Sequence, residues 1–221
     1  MMKILDQAIE TLNCSRSMLE PVIESFENRL SKYGSDPRSA FWRNAEWQKR
    51  RFEILFDLFS QDDRKGGVSI TDFGCGYGAF FDYLKDFQVM NGSIYTGIDI
   101  SSAMILQAQS KITDPRANFQ HDNIATRITD YTFICGTFNM NMDADEIEWT
   151  NYIKASLAQL WSKTTKAMAF NLLRSDTVEK FNSLYYADLD EFLIFCHETL
   201  SANVEYTNDS PLPDGTIFIR R

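Results

Sequence analysis

The stretch that most constrains this chain is residues 70–84. An apolar run ends in Asp72-Phe73-Gly74-Cys75-Gly76-Tyr77-Gly78 and passes directly into Ala79-Phe80-Phe81-Asp82-Tyr83-Leu84. Glycine at Gly74, Gly76 and Gly78 permits a tight turn and lets a ligand approach the backbone closely. The pattern predicts a strand over 68–73, a turn, and a helix over 79–87 whose first N–H groups have no partner inside the helix. In an open parallel sheet, ligands sit at the carboxyl ends of the strands, beside the point where strand order reverses.

The same alternation continues down the chain. Apolar runs predict strands over 93–99, 117–120, 131–135, 167–172, 203–206 and 216–219. Helical spacing fills 101–111, 148–161 and 189–200. Strands alternating with helices imply a parallel sheet wrapped on both faces. The last two strands are joined by a Pro- and Gly-containing turn, too short for a helical crossover, so they should be antiparallel. The expected fold is α/β: a Rossmann-like, doubly wound, seven-stranded sheet, mostly parallel with an antiparallel C-terminal strand, plus N-terminal helices.

In those N-terminal helices, Leu19, Val22, Ile23, Phe26 and Leu30 recur at helical spacing. Asp36 can cap a following helix with Pro37 at its first position. That helix is expected to run through Phe41, Trp42, Phe52, Leu55, Phe56 and Phe59, with Gly66-Gly67 closing the region. Two parts result: a helical lid over 1–66 and a cofactor-binding domain over 67–221.

Composition excludes several classes. The chain has 221 residues, 44% of them hydrophobic, with 17 Phe to fill a core. Its net charge of −9 argues against a nucleic-acid partner, because gripping a phosphate backbone calls for a basic surface. The densest basic run, Lys49-Arg50-Arg51, lies inside a helical pattern and reads as a solvated face. The four cysteines form no CxxC pair and only two histidines are present, so neither zinc nor a disulfide framework is expected. The N-terminal stretch lacks a basic segment followed by an apolar run, and no stretch approaches the roughly 20 apolar residues of a membrane span. A soluble cytoplasmic protein with no membrane partner is expected.

The loop alone does not choose its ligand. Gly74, Gly76 and Ala79 also satisfy the spacing of a dinucleotide turn. Asp99, ending the second strand, can accept from both hydroxyls of a ribose in either case. Asp72 is unhelpful beside a pyrophosphate but suits a ligand carrying an ammonium and a sulfonium. Asp122-Asn123 follows the third strand, where an adenine edge would arrive if the ribose sits on Asp99. Simpler roles stay open: an ordinary strand–helix turn for the glycines, and helix caps for Asp99 and Asp122.

Residues 70–78 resemble the first motif of class I S-adenosylmethionine-dependent methyltransferases. Tyr95-Thr96-Gly97-Ile98-Asp99-Ile100-Ser101 resembles their second motif and Phe119-Gln120-His121-Asp122-Asn123 their third. The resemblance implies S-adenosyl-L-methionine as cofactor. It sets Asp72, Gly74, Cys75, Gly76 and Gly78 against the methionine part, Asp99 on the ribose, and Asp122 with Asn123 near adenine, and Ile100 is also expected at the cofactor. Met104 either pads the adenine or belongs to the core. Cys135, Gly136 and Thr137 would line the sulfonium end, and Arg51 could pair with the cofactor carboxylate. The order of features is similar to a group of small bacterial methyltransferases of undefined substrate.

The acceptor is less legible. Phe133-Ile134-Cys135-Gly136-Thr137-Phe138-Asn139 departs from the Asn/Asp-Pro-Pro-Tyr/Phe of base-amine methyltransferases. With the acidic charge, this favours methylation of an O or N atom of a small molecule. Tyr33, Trp42, Asn139, Asn171, Tyr185 and Tyr186 are the expected acceptor contacts. His121, Asp143, Asp145 and His197 are the candidate bases, and none stands out. Alternatives are a nicotinamide-dependent oxidoreductase on the same turn, a non-catalytic S-adenosylmethionine-binding protein, and a protein methyltransferase.

Overall fold

The computed structural model describes residues 2–209 and 211–221. Seven strands form one sheet in the order β3-β2-β1-β4-β5-β7-β6. They are β1 (Ser69–Phe73), β2 (Ile94–Asp99), β3 (Ala117–His121), β4 (Thr129–Ile134), β5 (Thr164–Leu173), β6 (Asn203–Asn208) and β7 (Asp214–Arg220). β7 runs antiparallel between β5 and β6, and the remaining pairs are parallel. Strand order reverses between β1 and β4, which opens a crevice at their carboxyl ends.

The helices are α1 (Met2–Cys14), α2 (Arg16–Tyr33), α3 (Ala45–Phe56), α4 (Ala79–Leu84), α5 (Ser102–Lys111), α6 (Glu146–Trp161) and α7 (Leu189–Phe195). The strands alternate between two buried faces, as a covered parallel sheet requires. Phe73, Ile98, Ile134, Phe170 and Ile217 pack with α1, α6 and α7. Ile70, Tyr95, Phe133, Ala169 and Phe218 pack with α3, α4 and α5. The N-terminal helices are thus part of the core. Phe52 of α3 lies 5.1 Å from the Phe80 ring, and Phe80 lies 5.0 Å from Phe133 on β4. α2 lies over the crevice, with Glu27 accepting from the Ser101 hydroxyl at 3.0 Å.

One expected helix is two elements. Asp36 caps a single 3-10 turn at Pro37–Ala40, and Phe41 then takes a left-handed conformation at φ 60°. Asn44 caps α3 by accepting from the Trp47 N–H at 2.8 Å. Asn competes for backbone donors and favours caps over helix interiors, which is the signal the expectation passed over. The break leaves Trp42 in an irregular stretch that reaches the crevice. The expected helix over 189–200 also changes character, since α7 gives way to a π-turn at Cys196–Leu200.

Gly78 closes the turn where β1 enters α4. Its φ is +82°, and an added Cβ would lie 2.4 Å from Ile112 Cδ1 and 3.2 Å from the Phe119 ring. This glycine locks α4 against α5 and β3. Gly78→Ala is expected to lower the urea unfolding free energy by about 2–4 kcal/mol, from overpacking and left-handed strain together. An unchanged midpoint would contradict that reading.

Candidate active site

β1 delivers Gly74, Cys75 and Gly76 to the sheet's carboxyl edge, and β2 delivers Asp99 beside them. The Gly74 and Cys75 N–H groups donate to the Ile98 carbonyl at 2.7 and 3.0 Å. The Gly76 N–H donates to Asp99 Oδ2 at 2.8 Å, and the Ser101 N–H to Asp99 Oδ1 at 2.9 Å. Asp99 is thereby fixed with one lone pair on each oxygen still unspent. Burial pushes its carboxyl up, against the pull of those backbone donors. An added Cβ on Gly76 would project into open space, with Met104 Sδ its nearest neighbour at 4.0 Å. The loop is a cradle that a side chain would fill.

Asp72 sits deeper, on β1, and accepts from the Tyr95 hydroxyl. Burial, with Asp99 adding to it, pushes its carboxyl up to about 7, outweighing that hydrogen bond. On the β3 side, Asp122 Oδ1 accepts from the Asn123 and Ile124 N–H groups at 2.8 and 3.3 Å. Its other oxygen has no partner among the described residues.

Across the crevice, the loop after β4 closes against the glycine loop. The Thr137 hydroxyl donates to the Phe73 carbonyl at 2.9 Å, and a Cβ on Gly74 would collide with the Thr137 side chain. Gly136 has φ +71° and lies under Trp42, whose Cη2 is 2.6 Å from where a Cβ would stand. The Gly136 N–H donates to Asn171 Oδ1 at 2.7 Å, and Asn171 Nδ2 donates to Asp214 Oδ2 at 2.5 Å. Asp214 in turn receives both Nε and Nη2 of Arg51, with Nε at 2.8 Å. Arg51 Nη1 donates to the Trp47 carbonyl at 3.0 Å, and its guanidinium lies 4.8 Å from the Trp42 ring centre. Arg51 and Asp214 are 5% and 2% exposed, so this is a buried pair in which each guanidinium nitrogen has a hydrogen-bond partner.

These walls enclose a cleft with about 970 Å³ of empty space including its open mouth. Asp72, Gly74, Cys75, Gly76, Asp99, Ile100, Met104, Asp122, Cys135 and Gly136 line it. Of the other residues expected at the cofactor, Gly78 faces α5, Asn123 lies outside the lining, and Arg51 stands behind Trp42 on Asp214.

The expected acceptor contacts fare differently. Trp42 lines the cleft; Tyr33, Asn139, Asn171, Tyr185 and Tyr186 do not. Tyr33 packs under Arg29, Lys32 and Arg38. Asn139 accepts from the Leu173 N–H at 3.0 Å, and the Tyr185 hydroxyl meets Thr150 Oγ1 at 2.7 Å. The Tyr186 hydroxyl accepts from the Phe181 N–H at 2.9 Å. These are structural bonds that bind loops and α6 to the sheet.

No candidate base faces the cleft. His121 is exposed with Nε2 3.0 Å from the Ile100 carbonyl, and His197 is exposed on the π-turn. Asp143 is exposed at φ 62°, and Asp145 caps α6. Cys135 is held protonated because burial raises its thiol. Among the described residues no His, Cys, Asp or Glu group is arranged to hold a metal ion.

Sequence reasoning missed Gln48, Tyr77, Trp149 and Tyr152, which all line the cleft, as does the expected Thr137. Trp149 and Tyr152 were findable, since they stand three apart on one face of the expected helix after the fourth strand. The Tyr152 ring packs 6.0 Å from Phe138.

Comparison with known proteins fixes the family. A methyltransferase domain family matches residues 70–165. A Mycobacterium tuberculosis protein named "Putative methyltransferase Rv1506c" is 35% identical over 159 residues, covering 69% of this chain and 93% of that one. The chain belongs to the class I S-adenosylmethionine-dependent methyltransferases. Solved structures agree on the fold. Magnesium protoporphyrin IX methyltransferase of Synechocystis PCC 6803, with bound SAH, superposes at a TM-score of 0.65 with 12% identity, over 96% of this chain and 99% of that one. The mitomycin 7-O-methyltransferase MmcR gives 0.59 at 13% identity, over 100% and 67%.

This methyltransferase takes its methyl group from S-adenosylmethionine, which sets aside the oxidoreductase and non-catalytic alternatives. The cleft fits that donor, for it offers the Asp99 carboxylate at its lip and an open glycine cradle beside it.

Two outcomes follow from the buried charges. Arg51→Leu strands Asp214 without a partner and is expected to lose about 3–5 kcal/mol of unfolding free energy. Removing both partners with Arg51→Leu and Asp214→Leu should recover much of it. For Asp72, the folded state holds the proton more tightly than the unfolded chain. Its contribution therefore falls as pH rises from the ordinary carboxylate range to about 7, and stays low above that. Asp72→Asn should gain stability over wild type as pH rises across this window in thermal melts. A difference independent of pH would contradict the assignment.

Proposed function

We propose that the enzyme methylates an oxygen or nitrogen atom of a small, largely apolar acceptor. The observation that carries this reading is the cleft's roof. Leu19, Val22, Ile23 and Phe26 of α2 cover one side, with Trp42, Trp149 and Tyr152 on the others. No Lys, Arg or His is among the lining residues, which supports neither a nucleic acid nor an anionic acceptor. The acidic charge points the same way. The four cysteines are free, which suits a reducing compartment such as the cytoplasm.

When bound, S-adenosylmethionine supplies an electrophilic methyl group on a sulfonium leaving group. In this reading Asp99 receives the ribose hydroxyls and Asp122 the adenine edge. Ile100 and Met104 pad the base, and Gly74 and Gly76 admit the methionine part. Cys135 and Gly136 border the methyl group, while Gly78 and Asn123 act from behind as turn residues. Residues 1–66 serve as the lid, excluding water.

Holding two reactants in line can supply roughly 7–11 kcal/mol of a barrier in favourable cases. The Arg51–Asp214–Asn171 chain fixes Gly136 and Trp42 for that purpose. None of His121, Asp143, Asp145 and His197 lines the cleft, so in this reading the acceptor supplies its own lone pair, and Tyr152, which does line it, orients the acceptor.

Calorimetry with S-adenosylhomocysteine tests the donor site, and Asp99→Ala should weaken binding about tenfold or more. A screen of neutral amines, alcohols and phenols against carboxylates, peptides and nucleic acids tests the acceptor. Methylated product from the first group supports the proposal. Turnover confined to peptides or nucleic acids would overturn it.

A further inference from the structure

The methyl donor carries one anionic group, the carboxylate of its methionine part, yet the cleft lining holds three carboxylates and no cation. Arg51, the natural candidate, is consumed by Asp214. Resting on the cofactor reading above, we propose that Gln48 and Tyr77 receive that carboxylate as a pair of neutral hydrogen-bond donors.

Gln48 stands one helical turn before Arg51 on α3, lines the cleft, and is 7% exposed. Its Nε2 lies 3.4 Å from the Tyr77 hydroxyl. That contact uses one amide hydrogen and leaves a second. The hydroxyl accepts it and keeps its own hydrogen to donate. Neither group has another side-chain partner among the described residues, although both are nearly buried. Burial raises the Tyr77 hydroxyl above its ordinary range, so it stays protonated and a donor.

The position fits the methionine end. Asp99 ends β2 and Asp122 follows β3, both on one side of β1, and they reserve that side for the nucleoside. Gln48 approaches from the α3 and α4 side, beside Phe52, whose ring is 5.1 Å from Phe80. Tyr77 follows directly on Gly76; its ring packs with Leu30 and Met104, and its hydroxyl reaches Gln48 on α3. Neutral donors can bind a carboxylate well inside a water-excluded site, since a hydrogen bond to a charged group is stronger than one between neutral groups.

The test compares two ligands by calorimetry on the full chain. S-adenosylhomocysteine carries the amino-acid part; 5′-methylthioadenosine keeps the nucleoside and sulfur but lacks it. Gln48→Leu and Tyr77→Phe should each weaken S-adenosylhomocysteine about tenfold or more, and leave 5′-methylthioadenosine within about twofold. Gln48→Glu should weaken S-adenosylhomocysteine further than Gln48→Leu, because it sets two carboxylates together. Equal loss of both ligands would assign the pair a structural role and overturn the proposal. So would S-adenosylhomocysteine binding that none of the variants changes. Wild-type protein that bound neither ligand would overturn the cofactor placement itself, and this inference with it.

Discussion

The site depends on one fixed carboxylate. Asp99 accepts from the N–H of Gly76 in one loop and the N–H of Ser101 in another. It therefore sets the relative position of the glycine cradle and the α5 entrance before any ligand arrives. Two backbone donors hold the acid in place in a buried setting that would otherwise disfavour its charge. A preorganised acceptor of this kind spares the ligand the task of ordering the site.

A second buried network does the same for the opposite wall. Arg51, Asp214 and Asn171 bring together α3, β7 and β5, and Asn171 passes the constraint to Gly136 at the end of β4. The amide's orientation is unambiguous, since its oxygen must face an N–H and its nitrogen a carboxylate. Trp42 is held between Gly136 and the guanidinium. The N-terminal region is thus built into the walls of the cleft, where Phe26, Trp42 and Phe52 line it.

How much of this was legible follows from sequence distance. The glycine loop, Asp99 and Asp122 were readable because each is defined by its own strand and the turn after it. The antiparallel end of the sheet was readable from one short connection. Arg51 was seen as a cation near the site, but its partner lies 163 residues away, and a guanidinium does not announce which carboxylate it will meet. Asn171 and Tyr185 carry the hydrogen-bonding groups of acceptor contacts, yet the fold uses those groups internally. Gln48 was hidden for the opposite reason. A lone glutamine in a charged helix reads as surface until the helix is docked.

We propose that the cleft holds S-adenosylmethionine along the carboxyl edge of the sheet and leaves an enclosed, largely apolar space for a small acceptor. A crystal structure with S-adenosylhomocysteine bound tests it most directly. The predicted result has the ribose hydroxyls on Asp99, the adenine edge at Asp122, and the sulfur facing a pocket closed by Trp42, Trp149 and Tyr152. A nucleoside bound elsewhere, or a sulfur facing a long open surface groove, would contradict it.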